Sequence, residues 1–512
     1  MIVVIITSIL ICILLYIKGT KNFKYWEKKG IKYCKPLPFF GNSLHKHLQQ
    51  ISPTDELAEV YRKFPNEKFV GCFDCSHRIL VLRDPELIKH VLAADFLHFY
   101  PKGINNNGTE PLLNNLFSAD GDLWKVMRQK LSVLFSTGKR KATFPILLKI
   151  AERLDIIVEE CSKNSREVNV RELMVEFTTD AIAAGGFGVD TNSLNDESSV
   201  FRKLGKRIFD IKLRDHLVYI SKFLASNIFK NFKFFAPEVE DTIESIVKCI
   251  VEDRNGKPVG RKDFIDVLLE MKNMKTLVGQ SLTKRDKNGV PEKCEVVFDN
   301  ALLTAQAFVL FGAGTETSAA SISFTLNQLA YNPDIQEKCQ TDIDEVLRKY
   351  GKMCFEALSE MKYLELCIKE GLRMYPPVGY LIRQCAKEYT FPGTNLTIEK
   401  GISVRIPLQA IQNDEKYFEQ PDQFNPGRFN SENAKNLIQF PYLLFGAGPR
   451  FCIGQSLSLL QSLTSLATIL SKYKVVPSEN SRRKLITDPT IALVQNIKGG
   501  IPLKFVRRTL LD

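Results

Sequence analysis

The chain has 512 residues, of which 44% are hydrophobic and 25% charged, as in a globular protein with a sizeable core, and this composition excludes a disordered chain. Its net charge of +12 is compatible with nucleic acid, an anionic membrane or an acidic protein as partner. No Pro/Gly/Ser-rich linker divides it, and its 12 cysteines lack framework spacing, as expected of free thiols in a cytosolic compartment.

The N-terminus predicts a membrane anchor. Residues 2–17 carry no charge, and as a helix they would span roughly 24 Å. The alternative is a cleaved signal peptide, but no basic segment precedes the apolar run, and Lys18-Gly19-Thr20 is a poor cleavage site. Lysines follow at once, which by the positive-inside rule places the rest of the chain in the cytoplasm. We expect an anchor at 1–17, a basic and proline-containing linker at 18–42, a single domain at 43–512, and no nucleic-acid partner.

The first half of the domain predicts a small sheet followed by helices. Residues 68–83 hold short β-type runs, and Asp84-Pro85-Glu86 opens a helix. Residues 96–120 are rich in Phe, Asn, Gly and Pro, which predicts a long loop. Residues 142–270 predict amphipathic helices with polar joints. The lysine-rich stretch 272–296 predicts a mobile surface loop.

Trp124 and Arg128 are four residues apart and therefore share one face of a predicted helix. An amphipathic surface helix with a snorkelling arginine is the more common explanation for such a pair standing alone. The guanidinium could instead hold a carboxylate through two parallel donors. The sequence at this point leaves both possibilities open.

Residues 297–329 predict a long helix that crosses the core, because Asp299 and Glu316 are its only charged residues. Gly312 and Gly314 weaken its middle and leave room for a bulky neighbour. An acid and an alcohol, Glu316 and Thr317, follow directly. A buried glutamate is costly unless it is paired or used, which favours a functional role for this segment.

The most informative stretch is the loop 445–454, which we call the cysteine loop. Gly446 and Gly448 permit backbone angles closed to other residues, so the loop can present Cys452 just before a helix predicted at 455–469. Free N–H groups of the loop and the helix start should lower the pKa of its thiol, and Phe445 should shield it from water. A small buried core cysteine is the more common alternative.

Two facts favour a metal ligand over a core cysteine. All six histidines lie before residue 217, so a metal site in the second half must use sulfur or oxygen, and haem held by one thiolate satisfies this. The cysteine loop also resembles that of the cytochrome P-450 family, with phenylalanine, two glycines, arginine, cysteine and glycine at the required spacings. The resemblance runs from the anchor to the C-terminal strand near residue 500, and segments such as 135–139 and 391–394 are most similar to insect microsomal members of family 6.

This resemblance implies a mainly α protein with small β-sheets, the cytochrome P-450 fold, in which haem b (iron protoporphyrin IX) lies between the long central helix and the cysteine loop. Thr317 would hydrogen-bond dioxygen and Glu316 would help to relay protons. Arg428 would join Glu370 and Arg373 in a buried network, although Gly427 replaces the acidic residue usual before that arginine. Cys452 would be the axial metal ligand, and the remaining cofactor contacts would come from Trp124, Arg128, Arg383, Arg450, Phe445, Gly446 and Gly454.

The implied reaction is a monooxygenation of a small lipophilic substrate, either a xenobiotic or an endogenous lipid, terpenoid or hormone. NADPH would supply electrons through NADPH-cytochrome reductase, with cytochrome b5 as a second donor, at the endoplasmic reticulum membrane. The alternatives are an oxygen-independent haem-thiolate isomerase or dehydratase, which the intact segment 316–318 disfavours, and a haem-based small-molecule binding protein. A basic patch is expected on the helix that carries Trp124 and on its C-terminal loop, where it would dock the reductase or, alternatively, be a solvated charged face. It consists of Lys125, Lys130, Lys139, Arg140 and Lys141.

Overall fold

A computed structural model of the chain describes residues 19–104, 110–224, 231–430, 443–490 and 493–509, together with the isolated residues Ile6, Tyr16, Ile17, Phe229 and Glu432. The predicted anchor, residues 1–17, therefore lies almost entirely outside the described residues. Within them, no helix combines the length and the apolar character needed to cross a bilayer.

Helices make up most of the described chain, as the sequence predicts. In chain order, the α-helices are Tyr25–Lys28, Leu44–His47, Pro53–Lys63, Pro85–Lys89, Gly121–Leu131, Thr137–Lys163, Val170–Ile182, Val200–Phe209, Leu213–Leu224, Pro237–Asp253, Phe264–Asn273, Asn300–Ala330, Pro333–Tyr350, Phe355–Glu360, Lys362–Met374, Leu408–Gln412 and Gln455–Leu470. Short 3₁₀ or π turns connect several of them, at His90–Ala94, Phe96–His98, Pro111–Leu113, Ser132–Phe135, Ala183–Phe187, Pro426–Phe429 and Gly448–Arg450.

The strands form small separate sheets. They are β1 (Phe69–Asp74), β2 (His77–Leu82), β3 (Val168–Asn169), β4 (Thr276–Arg285), β5 (Pro291–Val297), β6 (Leu381–Gln384), β7 (Tyr389–Thr390), β8 (Thr397–Ile398), β9 (Ser403–Ile406), β10 (Tyr473–Pro477) and β11 (Pro502–Arg507). The described sheets have the orders β1-β2-β9-β6, β10-β11-β3, β4-β5 and β7-β8. The predicted early sheet is confirmed, since β1 pairs with β2 antiparallel.

The long core helix predicted at 297–329 is also confirmed, and it runs over Asn300–Ala330. We call it the central helix. Asp299 caps its start by accepting the N–H of Leu302 at 2.8 Å. It packs against Val170–Ile182 and against Gln455–Leu470, the helix that follows the cysteine loop. A hydrogen bond of 3.1 Å between the hydroxyls of Ser318 and Ser458 joins the central helix to Gln455–Leu470.

The mobile loop predicted over 272–296 is wrong: β4 and β5 form an antiparallel hairpin there. Its turn is built by Asp286, whose carboxylate accepts the N–H groups of Asn288 and Val290. Gly289 lies in the turn at a φ of +78°. Only one side of this two-stranded ribbon packs against the protein. The lysines that favoured a loop prediction lie at the exposed positions of the ribbon.

Candidate functional site

The cysteine loop closes on itself and presents Cys452 at its end. The N–H of Cys452 donates to the carbonyl of Phe445 at 2.8 Å. Gly446 and Gly448 have φ values of +73° and +68°, which confirms their predicted conformational role. At Gly448 the requirement is also steric, because a Cβ there would lie 1.9 Å from the carbonyl oxygen of Leu92.

The thiol of Cys452 remains accessible although protein surrounds it. Burial is the largest influence on its pKa and raises it, while the N–H groups of Gly454 and Gln455 and the charges of Arg128 and Lys102 act in the opposite direction. The predicted lowering of this pKa is therefore wrong for the polypeptide alone, because desolvation outweighs the N–H groups. A bound metal cation would reverse this balance, since a coordinating thiol is deprotonated.

The structure brings Trp124 and Arg128 to the cysteine loop. Both lie on the helix Gly121–Leu131, which we call the Trp124 helix. The guanidinium of Arg450 stands over the indole of Trp124, 4.4 Å from the ring centroid, and Arg128 lies 4.6 Å from the ring centroid of Phe451. These cation–π contacts hold the helix against the residues that flank Cys452.

Two buried arginines, Arg450 within this loop and Arg383 on β6, carry donors without acceptors among the described residues. Arg450 gives Nη2 to the carbonyl of Ala119 and to Asp120, both at 2.8 Å, and Arg383 gives Nη1 to the carbonyl of Ile382. Within the described part of the chain, Nε of Arg383 and Nε and Nη1 of Arg450 find no partner. Burial lowers the pKa of each guanidinium to about 10. Two buried guanidinium groups with unpaired donors are stabilised by an anion. The two propionates of haem are carboxylates, which guanidinium groups bind through parallel hydrogen bonds. The residues present therefore fit haem.

Lys102 is a third basic residue at this site, and it was not among the residues predicted from the sequence. The backbone N–H of Lys102 donates to the carboxylate of Asp120 at 2.9 Å, and Arg450 contacts the same carboxylate. Burial and repulsion from Arg383 and Arg450 lower the pKa of the Lys102 ammonium well below its usual range. No local pattern marks this lysine, because a single lysine in a long loop gives no sign of what the loop packs against.

The middle of the central helix opens to one side. Ala313 is exposed although Phe311, Gly312 and Thr315 around it are buried. Thr317, one turn further on, donates its hydroxyl to the carbonyl of Ala313 at 2.6 Å. The alcohol predicted to be functional thus lies on the open side of an otherwise buried helix.

Glu316 is held by a neighbouring helix. Arg171 of Val170–Ile182 donates Nη2 to its carboxylate, and Arg171 itself is only 4% exposed. Nε and Nη1 of Arg171 have no partner among the described residues. No local sequence pattern links Arg171 to Glu316, because the two residues are 145 positions apart along the chain.

The predicted network of Glu370, Arg373 and Arg428 is confirmed. Arg373 donates Nε and Nη2 to Glu370 at 2.8 and 3.0 Å, and both side chains are fully buried. Arg428 donates Nε to the same carboxylate at 3.1 Å. Arg373 also donates to the carbonyls of Gln412 and Pro421. Gly427 therefore does not prevent the network from forming.

The basic patch is placed differently from the prediction. Lys139, Arg140 and Lys141 lie on the next helix, Thr137–Lys163, and not on the Trp124 helix or its C-terminal loop, because a 3₁₀ turn at Ser132–Phe135 separates the two helices. Lys141 pairs with Glu356 at 2.6 Å, and Lys139 donates to the carbonyl of Lys262 at 2.8 Å. The patch is thus partly neutralised.

Gly454 and Phe445 contribute to the loop in simpler ways. A Cβ at Gly454 would lie 3.9 Å from Sγ of Cys452 and from the ring of Phe135, which is ordinary contact. The carbonyl of Phe445 accepts the N–H of Cys452, and its side chain is half-buried. Gly454 thus borders the thiol, and Phe445 holds the backbone of Cys452.

Comparison with known proteins agrees with this geometry. The family profile described as Cytochrome P450 matches residues 32–503. "Cytochrome P450 6B6" from Helicoverpa armigera is 36% identical over 509 residues, which cover 99% of this chain and 98% of that protein. "Cytochrome P450 6B1" from Papilio polyxenes is 35% identical over 498 residues (97% of each), and "Cytochrome P450 6k1" from Blattella germanica is 33% identical over 505 (96% and 95%). The chain therefore belongs to the cytochrome P450 family and is a haem-thiolate monooxygenase.

Proposed function

We propose that this monooxygenase receives electrons from NADPH through NADPH-cytochrome reductase, with cytochrome b5 as a second donor, and oxidises a xenobiotic or an endogenous lipid, terpenoid or hormone at the endoplasmic reticulum membrane. One observation supports placing the reaction beside the cysteine loop. An accessible thiol, Cys452, lies close to two buried guanidinium groups, Arg383 and Arg450, each of which keeps N–H groups that find no acceptor among the described residues. This combination suits a cofactor that carries both a metal and carboxylates.

The cofactor contacts follow from this placement. Haem b, when bound, supplies the redox chemistry that activates dioxygen. Cys452 would provide the thiolate ligand, and Arg383 and Arg450, joined by Trp124, Arg128 and Lys102, would hold the propionates. Phe445, Gly446 and Gly454 shape the loop around the sulfur. These residues belong to one catalytic domain, 43–512.

Thr317 and Glu316 handle protons in this proposal. The hydroxyl hydrogen of Thr317 is committed to the carbonyl of Ala313, so its oxygen lone pairs are left to accept a hydrogen bond on the open side of the central helix. The Glu316 carboxylate is engaged by Arg171. Arg171 thereby fixes the position of the Glu316 side chain, which makes Arg171 a positioning residue for the proposed proton relay.

The membrane assignment rests on residues 1–17 and on the linker that follows them. The linker packs on the body: Trp26 is fully buried and donates Nε1 to the carbonyl of Cys72 at 3.0 Å. Deleting residues 2–17 should weaken membrane attachment while the domain keeps its haem. Asn395, in the pattern Asn-Leu-Thr, is exposed and serves as a reporter of topology. Glycosylation of Asn395 in cells would contradict a cytosolic domain.

The function is tested with full-length enzyme reconstituted with reductase and NADPH. Lipid, terpenoid and plant-toxin libraries are screened for oxygenated products. The reduced carbon monoxide complex should show the long-wavelength Soret band of thiolate-ligated haem, and Cys452→His should move that band to shorter wavelength. A short-wavelength band in well-folded wild-type protein would exclude Cys452 as the axial ligand, and failure of the reductase and NADPH to reduce the haem iron would exclude the proposed electron supply.

A further inference from the structure

The β4–β5 hairpin lies directly on the Trp124 helix. Gly279 approaches so closely that a Cβ there would come within 2.6 Å of Cγ2 of Val126. Lys125 donates Nζ to the carbonyl of Ser281 at 3.2 Å. The hairpin is therefore packed against the element that carries Trp124 and Arg128, and none of the roles described above uses it.

Asp122 is the main polar contact between the two elements. Its Oδ1 accepts the hydroxyl of Ser281 at 3.0 Å and the N–H of Leu282 at 2.6 Å. Ser281 is fully buried. A charged acceptor makes these hydrogen bonds stronger than neutral ones, so Asp122 fixes the position of the hairpin along the first turn of the helix.

An irregularity in the ribbon directs Leu282 to the helix. The register passes from Gln280 opposite Lys293 to Arg285 opposite Pro291, so β4 has extra residues between these pairs. Such bulges bend a strand and re-aim its side chains. The side chain of Leu282, 6% exposed, accordingly enters a cluster with Phe96, Ala119 and Trp124.

The indole of Trp124 is thereby held by the hairpin as well as by the cysteine loop. Leu282 belongs to the same buried cluster, the ring of Phe96 is centred 5.6 Å away, and the guanidinium of Arg450 stands over the indole. An indole packed by three neighbours has few rotamers left. Its N–H is therefore held in one direction.

We propose that the β4–β5 hairpin is a positioning element for cofactor retention, in which Leu282 and the contact with Asp122 hold Trp124 in the orientation that serves the haem propionates. This inference rests on the proposed role of Trp124. Leu282 does not touch the cofactor and acts only through the indole, as a group that locks the side chain making the contact.

Leu282→Ala tests the inference in the holoenzyme, with Val290→Ala as the matched control. Val290 is an apolar residue at the hairpin turn and is 52% exposed. Transfer of haem to excess apomyoglobin should be about tenfold faster for Leu282→Ala, the lower end of what removing an orienting group costs a metal site. Val290→Ala should match the wild type. Leu282→Met, which conserves volume, should restore slow transfer.

Hydrogen exchange separates positioning from a general loss of stability. In Leu282→Ala the amides of Gly121–Leu131 should exchange faster, whereas those of the central helix, Asn300–Ala330, should not change. Equal haem transfer and equal exchange in Leu282→Ala and Val290→Ala would overturn the inference. Faster exchange across both helices would also overturn it, because the role would then be a general structural one.

Trp124→Phe separates a failure of the inference about the hairpin from a failure of the proposed role of Trp124. If Trp124→Phe loses haem rapidly and Leu282→Ala does not, the inference about the hairpin is wrong while the proposed cofactor site stands. If Trp124→Phe keeps haem like the wild type, the proposed role of Trp124 is wrong and the inference falls with it.

Discussion

Arg171 donates a hydrogen bond to the carboxylate of Glu316, and so it holds the acidic residue of the central helix from the side of a neighbouring helix. Thr317, the next residue in the chain, is bonded to the backbone of its own helix instead. Adjacent residues that were expected to act together are thus held by different partners. Their contributions can be separated by mutation.

The Arg171–Glu316 pair should contribute to stability as well as to proton supply. Arg171→Met leaves a carboxylate that is only 13% exposed without its cation, and we expect a loss of about 3 kcal/mol in the free energy of unfolding. Glu316→Gln in the Arg171→Met background should recover part of that loss. Urea unfolding of the holoenzyme measures both. Additive effects of the two substitutions would show that the pair does not interact.

Thr317→Ala should divert electrons from product to peroxide. Removing the hydroxyl leaves haem and substrate binding intact but removes the group proposed to accept a hydrogen bond on the open side of the central helix. We expect the ratio of product to NADPH consumed to fall by about a hundredfold, the lower end of what a positioned proton-transfer group contributes. Thr317→Ser, which keeps the hydroxyl, should remain coupled. Unchanged coupling in Thr317→Ala would remove Thr317 from the mechanism.

The buried network around Glu370 should be essential for folding. Arg373→Met removes the cation that pairs most closely with the fully buried Glu370, and we expect the free energy of unfolding to fall by about 3 to 5 kcal/mol. The control is Lys369→Ala, which removes a more exposed i, i+4 pair with Glu365 and should cost at most about 1 kcal/mol. Haem incorporation and thermal unfolding report the difference. Equal effects of the two substitutions would contradict the network's importance.

The 139–141 part of the basic patch should bring the reductase to the enzyme, although Lys141 already pairs with Glu356. Lys139→Glu with Arg140→Glu should raise the reductase concentration for half-maximal turnover by about tenfold at low salt, because charge complementarity chiefly speeds encounter. Lys141→Gln should have less effect, since Glu356 neutralises that lysine.

Salt and an electron source that bypasses the reductase provide the controls for this patch. The effect of the charge reversal should fade at 0.1 M salt and above, where charges are screened over roughly 10 Å. Peroxide-driven activity should not change. A reductase dependence that stays the same at low salt would place the docking site elsewhere.

The sequence predicts those parts of the fold and site that are set by neighbouring residues. The apolar run of the central helix and the glycines of the cysteine loop act within a few positions of one another, so their predictions are confirmed. The pair of Glu370 and Arg373 is likewise local, one turn apart on one helix.

Long-range partners could not be predicted in this way. Arg171 reaches Glu316 across 145 positions, and Lys102 lies beside Arg383 because the N–H of Gln384 donates to the carbonyl of Pro101. The hairpin was missed for a related reason. Its covered side faces the Trp124 helix, so its pattern of apolar residues has meaning only once that partner is known.

The contact of Gly448 with the carbonyl of Leu92 also bears on the order in which the protein is made. The two residues are separated by most of the chain, and the same is true of Arg450 and Asp120. Contacts of such separation form only after the loop between them has closed. A ribosome must therefore release the segment through Gly454 before the thiol and its surrounding cations can meet. Haem capture is consequently a late event, and cofactor supply is needed when synthesis is nearly complete.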